Sequence, residues 1–282
     1  MQVNTANFIR WDDQNEDPGL PDVPFAYWRD RFHCGYMPIF SPGEAHSFYV
    51  NSKTGFRFFV AEAEIDTNAL RLALIRAENG DIVTQNLPVA VHNIPKQNEA
   101  DPQFYNPYSS FVVPAAEDGI YFMRIFDGNT GATLLTSNLV IVRNDRARLL
   151  ETTTFCRFRH DRTYYNIRYH DIPGFYQEIR LGISQADNPQ VDVQSEEYTE
   201  VTTGQTVVSE STERLYKKFE SYYFDKEAHI AASVMIGHKF VELNGDRYTR
   251  KAAYKSQSNP LSKLSKGEFE MWDNAFSELN RC

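Results

Sequence analysis

The chain has 282 residues, which allows one large domain or two ordinary ones. Its hydrophobic content of 41% is enough for a buried core, and its aromatic content of 14% favours β-sheets and contact surfaces. The net charge of −9 argues against a general nucleic-acid binder but allows a local basic patch.

The cysteine count and the N-terminal residues indicate the cellular compartment in which the protein is made. The three cysteines, at positions 34, 156 and 282, are few and odd in number, which argues against a disulfide framework. Such a count fits synthesis in a reducing cytoplasm. The N-terminal residues lack an apolar signal segment. No stretch approaches the roughly 20 apolar residues of a membrane span, so we expect no membrane partner.

Residues 1–45 are predicted to form an extended N-terminal arm. They are acidic and rich in proline, which disfavours long regular structure. They also contain too many large rings for a solvated tail. The arm either folds over its own domain or docks on a neighbouring subunit, and we expect an intersubunit arm that uses Trp11, Phe25, Tyr27, Trp28, Phe32 and Tyr36.

Residues 46–145 are predicted to form an Ig-like β-sandwich domain. Short strands are expected at 56–60, 70–75, 111–113, 120–126 and 137–142, separated by turns such as Asn79-Gly80 and the segment 127–131. Within this domain, the spacing of Glu117, Gly119 and Tyr121 resembles a tyrosine corner, in which the hydroxyl closes a loop by bonding to the backbone; a plain hairpin tyrosine is the alternative. Met123 stands where the second Ig cysteine would be, so we expect no intersheet disulfide.

The polar, basic segment 144–151 marks a domain boundary, and residues 150–255 are predicted to form a second β-rich (α+β) domain. A hairpin turns at Thr203-Gly204, and its second strand continues to Phe224. Asp225 is placed to cap a helix over 226–237, and Asn244-Gly245 predicts a tight hairpin turn. Ile230, Val234, Ala231 and Met235 are expected on the apolar side of this helix. Residues 256–282 are left as a C-terminal tail.

A basic and aromatic segment begins the second domain. Four arginines, interleaved with Phe and Tyr, are candidates for facing a lumen or DNA: Arg157, Arg159, Arg162 and Arg168. The alternative is a strand pair whose solvated arginines meet acidic residues such as Glu196, Glu197 and Glu200.

Catalytic and metal-binding motifs are absent from the sequence. There is no G-x-S-x-G, Walker, G-x-G-x-x-G or H-E-x-x-H pattern. Cys156 and His160 lie four apart and His33-Cys34 lies elsewhere, but these pairs share no standard zinc spacing. We therefore expect no enzyme activity, no catalytic or metal residues and no cofactor.

The second domain resembles structural virion proteins of tailed phages and prophages of Bacteroidetes, including crAss-like phages. Those chains share a hairpin, a long strand, a helix between two histidines, an Asn-Gly or Asp-Gly turn and a final hairpin. The residues that match are Tyr198, Gly204, Val207, Ser209, Tyr222, His229, His238, Asn244 and Gly245. The first half, with its Ig-like pattern ending in SNLVIV, is also typical of these proteins.

This resemblance implies a mainly β structural subunit of a tail, neck or baseplate ring, made in the host cytoplasm and located in the virion. The expected partners are further copies of the chain and other virion proteins, with non-specific contact with phage DNA at the basic segment. The alternative, from another class, is an Ig-like carbohydrate- or surface-binding adhesin module.

Overall fold

A computed structural model describes residues 8–13, 36–50, 67–94, 104–165, 167–186, 188–257, 264–274 and 279–281. Within these residues the chain is mainly β with a packed helix, as predicted. The first unit contains β1 (Trp11–Asp13), β2 (Ile39–Phe40), β3 (Ala45–Tyr49), β4 (Leu70–Arg76), β5 (Ile82–Pro88), β6 (Ala90–Ile94), β7 (Phe104–Val112), β8 (Gly119–Asp127), β9 (Thr133–Ser137) and β10 (Val140–Val142), with a 3₁₀ turn at Thr67–Ala69. The expected strand at 56–60 lies outside the described residues.

The second unit begins with a short helix, α1 (Arg146–Thr152). Its strands are β11 (Thr154–Arg159), β12 (Thr163–Tyr164), β13 (Ile167–Arg168), β14 (Gln177–Leu181), β15 (Ile183–Gln185), β16 (Gln190–Thr199), β17 (Thr206–Phe224), β18 (Phe240–Leu243), β19 (Asp246–Arg250), β20 (Lys255–Ser256), β21 (Ser265–Asp273) and β22 (Leu279–Arg281). The long helix α2 (Lys226–Ile236) follows β17, and a 3₁₀ turn occupies Tyr169–Asp171.

The first unit is a two-layered β structure. One layer has the order β5-β4-β8, with β9 and β10 both paired to the far side of β8. The other has the order β3-β7-β6. Phe48 and Phe111 of the second layer share a hydrophobic core with Leu72 and Met123 of the first. The buried Met123 therefore fills part of the space between the layers.

The tyrosine corner is present. The Tyr121 hydroxyl donates a hydrogen bond to the Glu117 carbonyl oxygen at 2.9 Å, and the ring is 1% exposed. This bond ties the start of β8 to the loop that precedes it, which is the role that the Glu117-Gly119-Tyr121 spacing predicts.

The second unit contains a closed barrel. Its antiparallel order is β11-β18-β19-β21-β17-β15, and β14, which leads directly into β15, pairs back with β11. The segment 256–282, assigned to a tail from the sequence, supplies β21, which lies between β17 and β19 and completes the ring of strands. Phe219, Phe269 and Met271 belong to the core of this barrel.

Helix α2 packs into the same core through Ala228, Ala231, Ala232 and Met235. Asp225 caps it as predicted, since its carboxylate accepts a hydrogen bond from the Ala228 N–H at 2.7 Å. The expectation that Ile230 belongs to the buried side was wrong: Ile230 is 37% exposed, because the packed face follows positions 228, 231, 232 and 235.

The two units share backbone hydrogen bonds and a partly buried ion pair. Strand β14 pairs with β2 and β3 of the first unit. Arg180 of β14 donates from Nε to Glu44 Oε2 at 2.8 Å and from Nη1 to Thr153 Oγ1 at 3.0 Å. Burial opposes ionisation of Glu44, but hydrogen bonds from Arg180 and His46 outweigh it and lower the pKa of this carboxyl to about 2.

Candidate assembly surface

The most prominent feature of the surface is the hairpin of β16 and β17. Strand β17 has 19 residues, but only its second half, from Tyr216, pairs with β21 in the barrel. Its first half pairs with β16, and the turn between them lies at residues 200–205. At about 3.3 Å per residue, the hairpin extends roughly 40 Å from Tyr216 to its tip.

One edge of this hairpin has no partner in the described part of the chain. All ten residues of β16 pair with β17, and no other described strand pairs with β16. Strand β22 pairs with Ser211–Glu213 on the opposite side of β17. A long free edge is a template for another strand, which natural proteins usually cover or shorten.

The inner face of the hairpin continues the interior of the barrel. Phe219 and Ser221 are buried, and the period-2 pattern of a strand places Leu215 on the same side. Val191 pairs with Leu215, and Val193 lies two residues further along β16. On this face Lys217, which pairs with Asp273 at 3.2 Å, separates Leu215 from Phe219. Both valines are 56% exposed, so they belong to an apolar stripe beyond Lys217 that is not covered in the described structure. The alternation of valine and aspartate at residues 191–193 is the sequence signal from which this stripe could have been predicted.

The base of the hairpin is held against the barrel by rings and cations. The Tyr216 and Trp272 rings meet edge to face at 5.9 Å. Lys251 Nζ lies 3.1 Å from the Tyr216 ring centroid, and the Arg214 guanidinium lies 4.7 Å from that of Trp272. The Tyr216 hydroxyl donates to Gln190 Oε1 at 2.5 Å, which joins β17 to the start of β16. These contacts fix the direction in which the hairpin leaves the barrel.

The hairpin segment is strongly acidic. Residues 190–215 contain one basic residue, Arg214, and six acidic residues, Asp192, Glu196, Glu197, Glu200, Glu210 and Glu213. The net charge of this segment, −5, is more than half of the net charge of −9 of the whole chain. Exposed basic residues lie just before the barrel, where Arg146 and Arg148 on α1 are accompanied by the exposed acids Asp145 and Glu151.

The four arginines of the basic and aromatic segment differ in their surroundings. Arg157 lies between two carboxylates, with Nε 2.9 Å from Glu178 Oε1 and Nη1 3.1 Å from Glu242 Oε2. Its guanidinium also stacks on the Tyr176 ring at 3.8 Å. The acids that Arg157 meets thus come from β14 and β18, and not from the expected group at 196–200.

Of the remaining three, Arg168 pairs with Asp171 through Nε and Oδ2, and Arg159 lies 5.2 Å from the Tyr176 ring centroid. Arg162 is exposed in the loop after β11. The side chains of Arg157 and Arg159 share the outer face of β11, whose other face is buried. Contact of these four residues with DNA stays a prediction.

The described ends of the N-terminal arm contact their own chain. Trp11 is 1% exposed, pairs through β1 with β9, and lies 6.0 Å from the Phe48 ring. Tyr36 is also buried; its ring lies 4.2 Å from Phe224, and its hydroxyl accepts a hydrogen bond from the Gly182 N–H at 2.7 Å. The other four predicted arm residues, Phe25, Tyr27, Trp28 and Phe32, lie outside the described residues.

The buried His238 is held in a closed polar network. His238 Nε2 is 2.9 Å from the Tyr169 hydroxyl, which accepts from Gln177 Nε2 at 2.8 Å, and His238 Nδ1 is 2.9 Å from the Val234 carbonyl oxygen. Burial lowers the pKa of His238 to about 4, so the ring is neutral near pH 7. Each polar atom of the ring has a partner, which fits a structural role.

Nucleophilic and metal-ligating side chains do not form a catalytic or metal-binding cluster among the described residues. Cys156 is fully buried, and burial raises the pKa of its thiol, so the reactive thiolate is disfavoured. No group of three or more His, Cys, Asp or Glu in the described ranges has the arrangement of a metal site. Cys34 and Cys282 lie outside those ranges.

The chain matches no protein-family model, and no curated protein or solved structure is significantly similar to it. No helix in the described part of the chain has the length and hydropathy of a membrane span.

Proposed function

We propose that this chain is a non-enzymatic structural subunit of a phage virion, in a ring of the tail, neck or baseplate. The observation that carries the proposal is the ten-residue edge of β16, which has no strand partner among the described residues and lies next to an exposed apolar stripe. Such an edge and stripe are stabilised when a neighbouring subunit covers them. The resemblance of the second domain to phage virion proteins gives the context of the assembly.

The adhesin alternative has less support. A carbohydrate-binding face uses exposed rings against which a sugar can stack. The ring pair at the base of the hairpin, Tyr216 and Trp272, is already contacted by Lys251 and Arg214. The ring subunit is therefore the better reading of this surface.

The test is the oligomeric state of the purified chain, measured by native mass spectrometry and electron microscopy. Wild type should form closed oligomers, and V191K/V193K should remain monomeric, because two charges on the apolar stripe oppose its burial. The control is I82K/V112K, which places the same charges on similarly exposed residues of the first unit, at 55% and 59% exposure. A monomeric wild type, or a stripe variant that assembles as wild type does, would contradict the proposal.

A further inference from the structure

We infer that the hairpin of one subunit docks on helix α1 of the next copy, in a head-to-tail contact between unlike surfaces. This inference rests on the proposed function and names the two surfaces that meet. The first is the hairpin surface, made of β16, the tip and the first half of β17. The second is the α1 surface, made of Arg143, Arg146, Arg148 and Leu150.

Charge identifies α1 as the complement of the hairpin. The hairpin surface, residues 190–215, contains six acidic residues and one basic residue, Arg214. On α1, Arg146 and Arg148 are exposed and have no ion pair in the described structure. Arg143 is 51% exposed, and its pair with Asp118 at 3.6 Å is a surface pair of the kind that contributes little. Together with the exposed Asp145 and Glu151 beside them, these three arginines give the α1 surface a small net positive charge that a neighbouring acidic surface can neutralise.

The two surfaces also match in apolar content. Leu150 is 55% exposed beside these arginines, while Leu149 is buried and anchors the helix. The hairpin offers Val191 and Val193 next to its acidic residues. A contact that pairs the charges can thus cover apolar side chains from both partners, as protein interfaces with a polar rim do.

Charge also decides the symmetry of the contact. Two hairpins meeting edge to edge would bring two segments with six acidic residues each together, and like-charge juxtaposition at an interface is strongly unfavourable. A contact between the hairpin and α1 uses two different surfaces of each chain. Repeated contacts of this kind generate a ring when the rotation closes.

The test uses reversal of charge on each surface. R146E/R148E reverses α1, and acidic residues in the first turn of a helix favour its fold. E196K/E197K changes the charge of the hairpin by the same amount in the opposite direction. Each variant alone should weaken assembly on the order of 100-fold in the concentration at half-assembly, because like charges then face each other. R250E/K255E, at exposed sites outside both surfaces, is the matched control and should assemble as wild type does.

The decisive measurement is an equimolar mixture of R146E/R148E and E196K/E197K. Alternating the two variants in a head-to-tail ring makes every contact attractive, so the mixture should restore oligomers of even subunit number in native mass spectra. High salt should dissociate the wild-type assembly, since exposed charges are screened.

Two different failures can be told apart. If wild type assembles and neither reversal weakens it, or if the mixture stays monomeric, the contact between hairpin and α1 is refuted while the ring function stands. If wild type is itself monomeric, the proposed function fails, and this inference fails with it.

Discussion

Replacement of Asp225 by Ala should destabilise the chain more than the loss of a helix cap alone. The carboxylate begins α2, where Oδ1 accepts from the Ala228 N–H at 2.7 Å. Its Oδ2 accepts from the Tyr36 N–H and from Arg10 Nη2, both at 3.1 Å. A side chain that is 16% exposed therefore joins the helix to two N-terminal segments.

The expected loss in the free energy of unfolding follows from these three contacts. Loss of the N-cap costs about 1 kcal/mol. The Tyr36 N–H loses its acceptor, which costs about 1–3 kcal/mol for a buried donor. The ion pair with Arg10, on a partly exposed side chain, adds about 0–1 kcal/mol. We expect D225A to lower the free energy of unfolding by about 3 kcal/mol and D225N, which keeps an acceptor oxygen, by about 1 kcal/mol.

Urea unfolding measures these losses, and D145A is the matched control. Asp145 caps α1 by accepting from the Arg148 N–H at 3.1 Å and accepts no hydrogen bond from a second segment in the described part of the chain, so its loss should cost only about 1 kcal/mol. Equal losses in D225A and D145A would refute the reasoning, because they would show that the N-terminal segments do not depend on Asp225.

Two further predictions concern the closed networks around α2. Because the folded pKa of His238 is lowered from 6.5 to about 4, its neutral state stabilises the fold above pH 6.5 and this contribution is lost as the pH falls to 4. H238Q should reduce the change in the free energy of unfolding, measured with urea, between pH 4 and pH 6.5. If this change is as large as in wild type, groups other than His238 cause the loss of stability in acid. A β-carbon at Gly237 would lie 2.3 Å from the Tyr164 hydroxyl, so G237A should cost about 1–3 kcal/mol. Adding Y164F should recover part of this loss in thermal unfolding, and no recovery would exclude the clash as its cause.

The sequence predicted local structure correctly where residues within one short segment determine its conformation. Asn244 and Gly245 adopt positive φ angles of 52° and 93°, as the predicted hairpin turn requires. The Asp225 cap and the Tyr121 hydrogen bond also follow from residues a few positions apart. Each of these contacts can be read without knowledge of the tertiary structure.

Closure of the barrel depends on pairings between distant segments, which local patterns do not determine. Strand β21 alternates buried Phe269 and Met271 with more exposed Glu268 and Glu270. This period-2 signal was present in the sequence, but nothing local indicates that the strand lies between β17 and β19. The same limit applies to Arg157, because its partners Glu178 and Glu242 become neighbours only through the register of β11.

The position of β21 in the barrel has a consequence for synthesis. The ribosome releases β17, with its barrel-facing edge unpaired, before residues 265–273 have been made. The first unit can collapse earlier, but the barrel waits for a partner about 50 residues downstream, and such long-range pairing is slow. During that interval the nascent chain exposes the edges of β17 and β19 that β21 later covers, in addition to the edge of β16. Translation speed through this segment, and chaperone access to it, should therefore govern the yield of native chains.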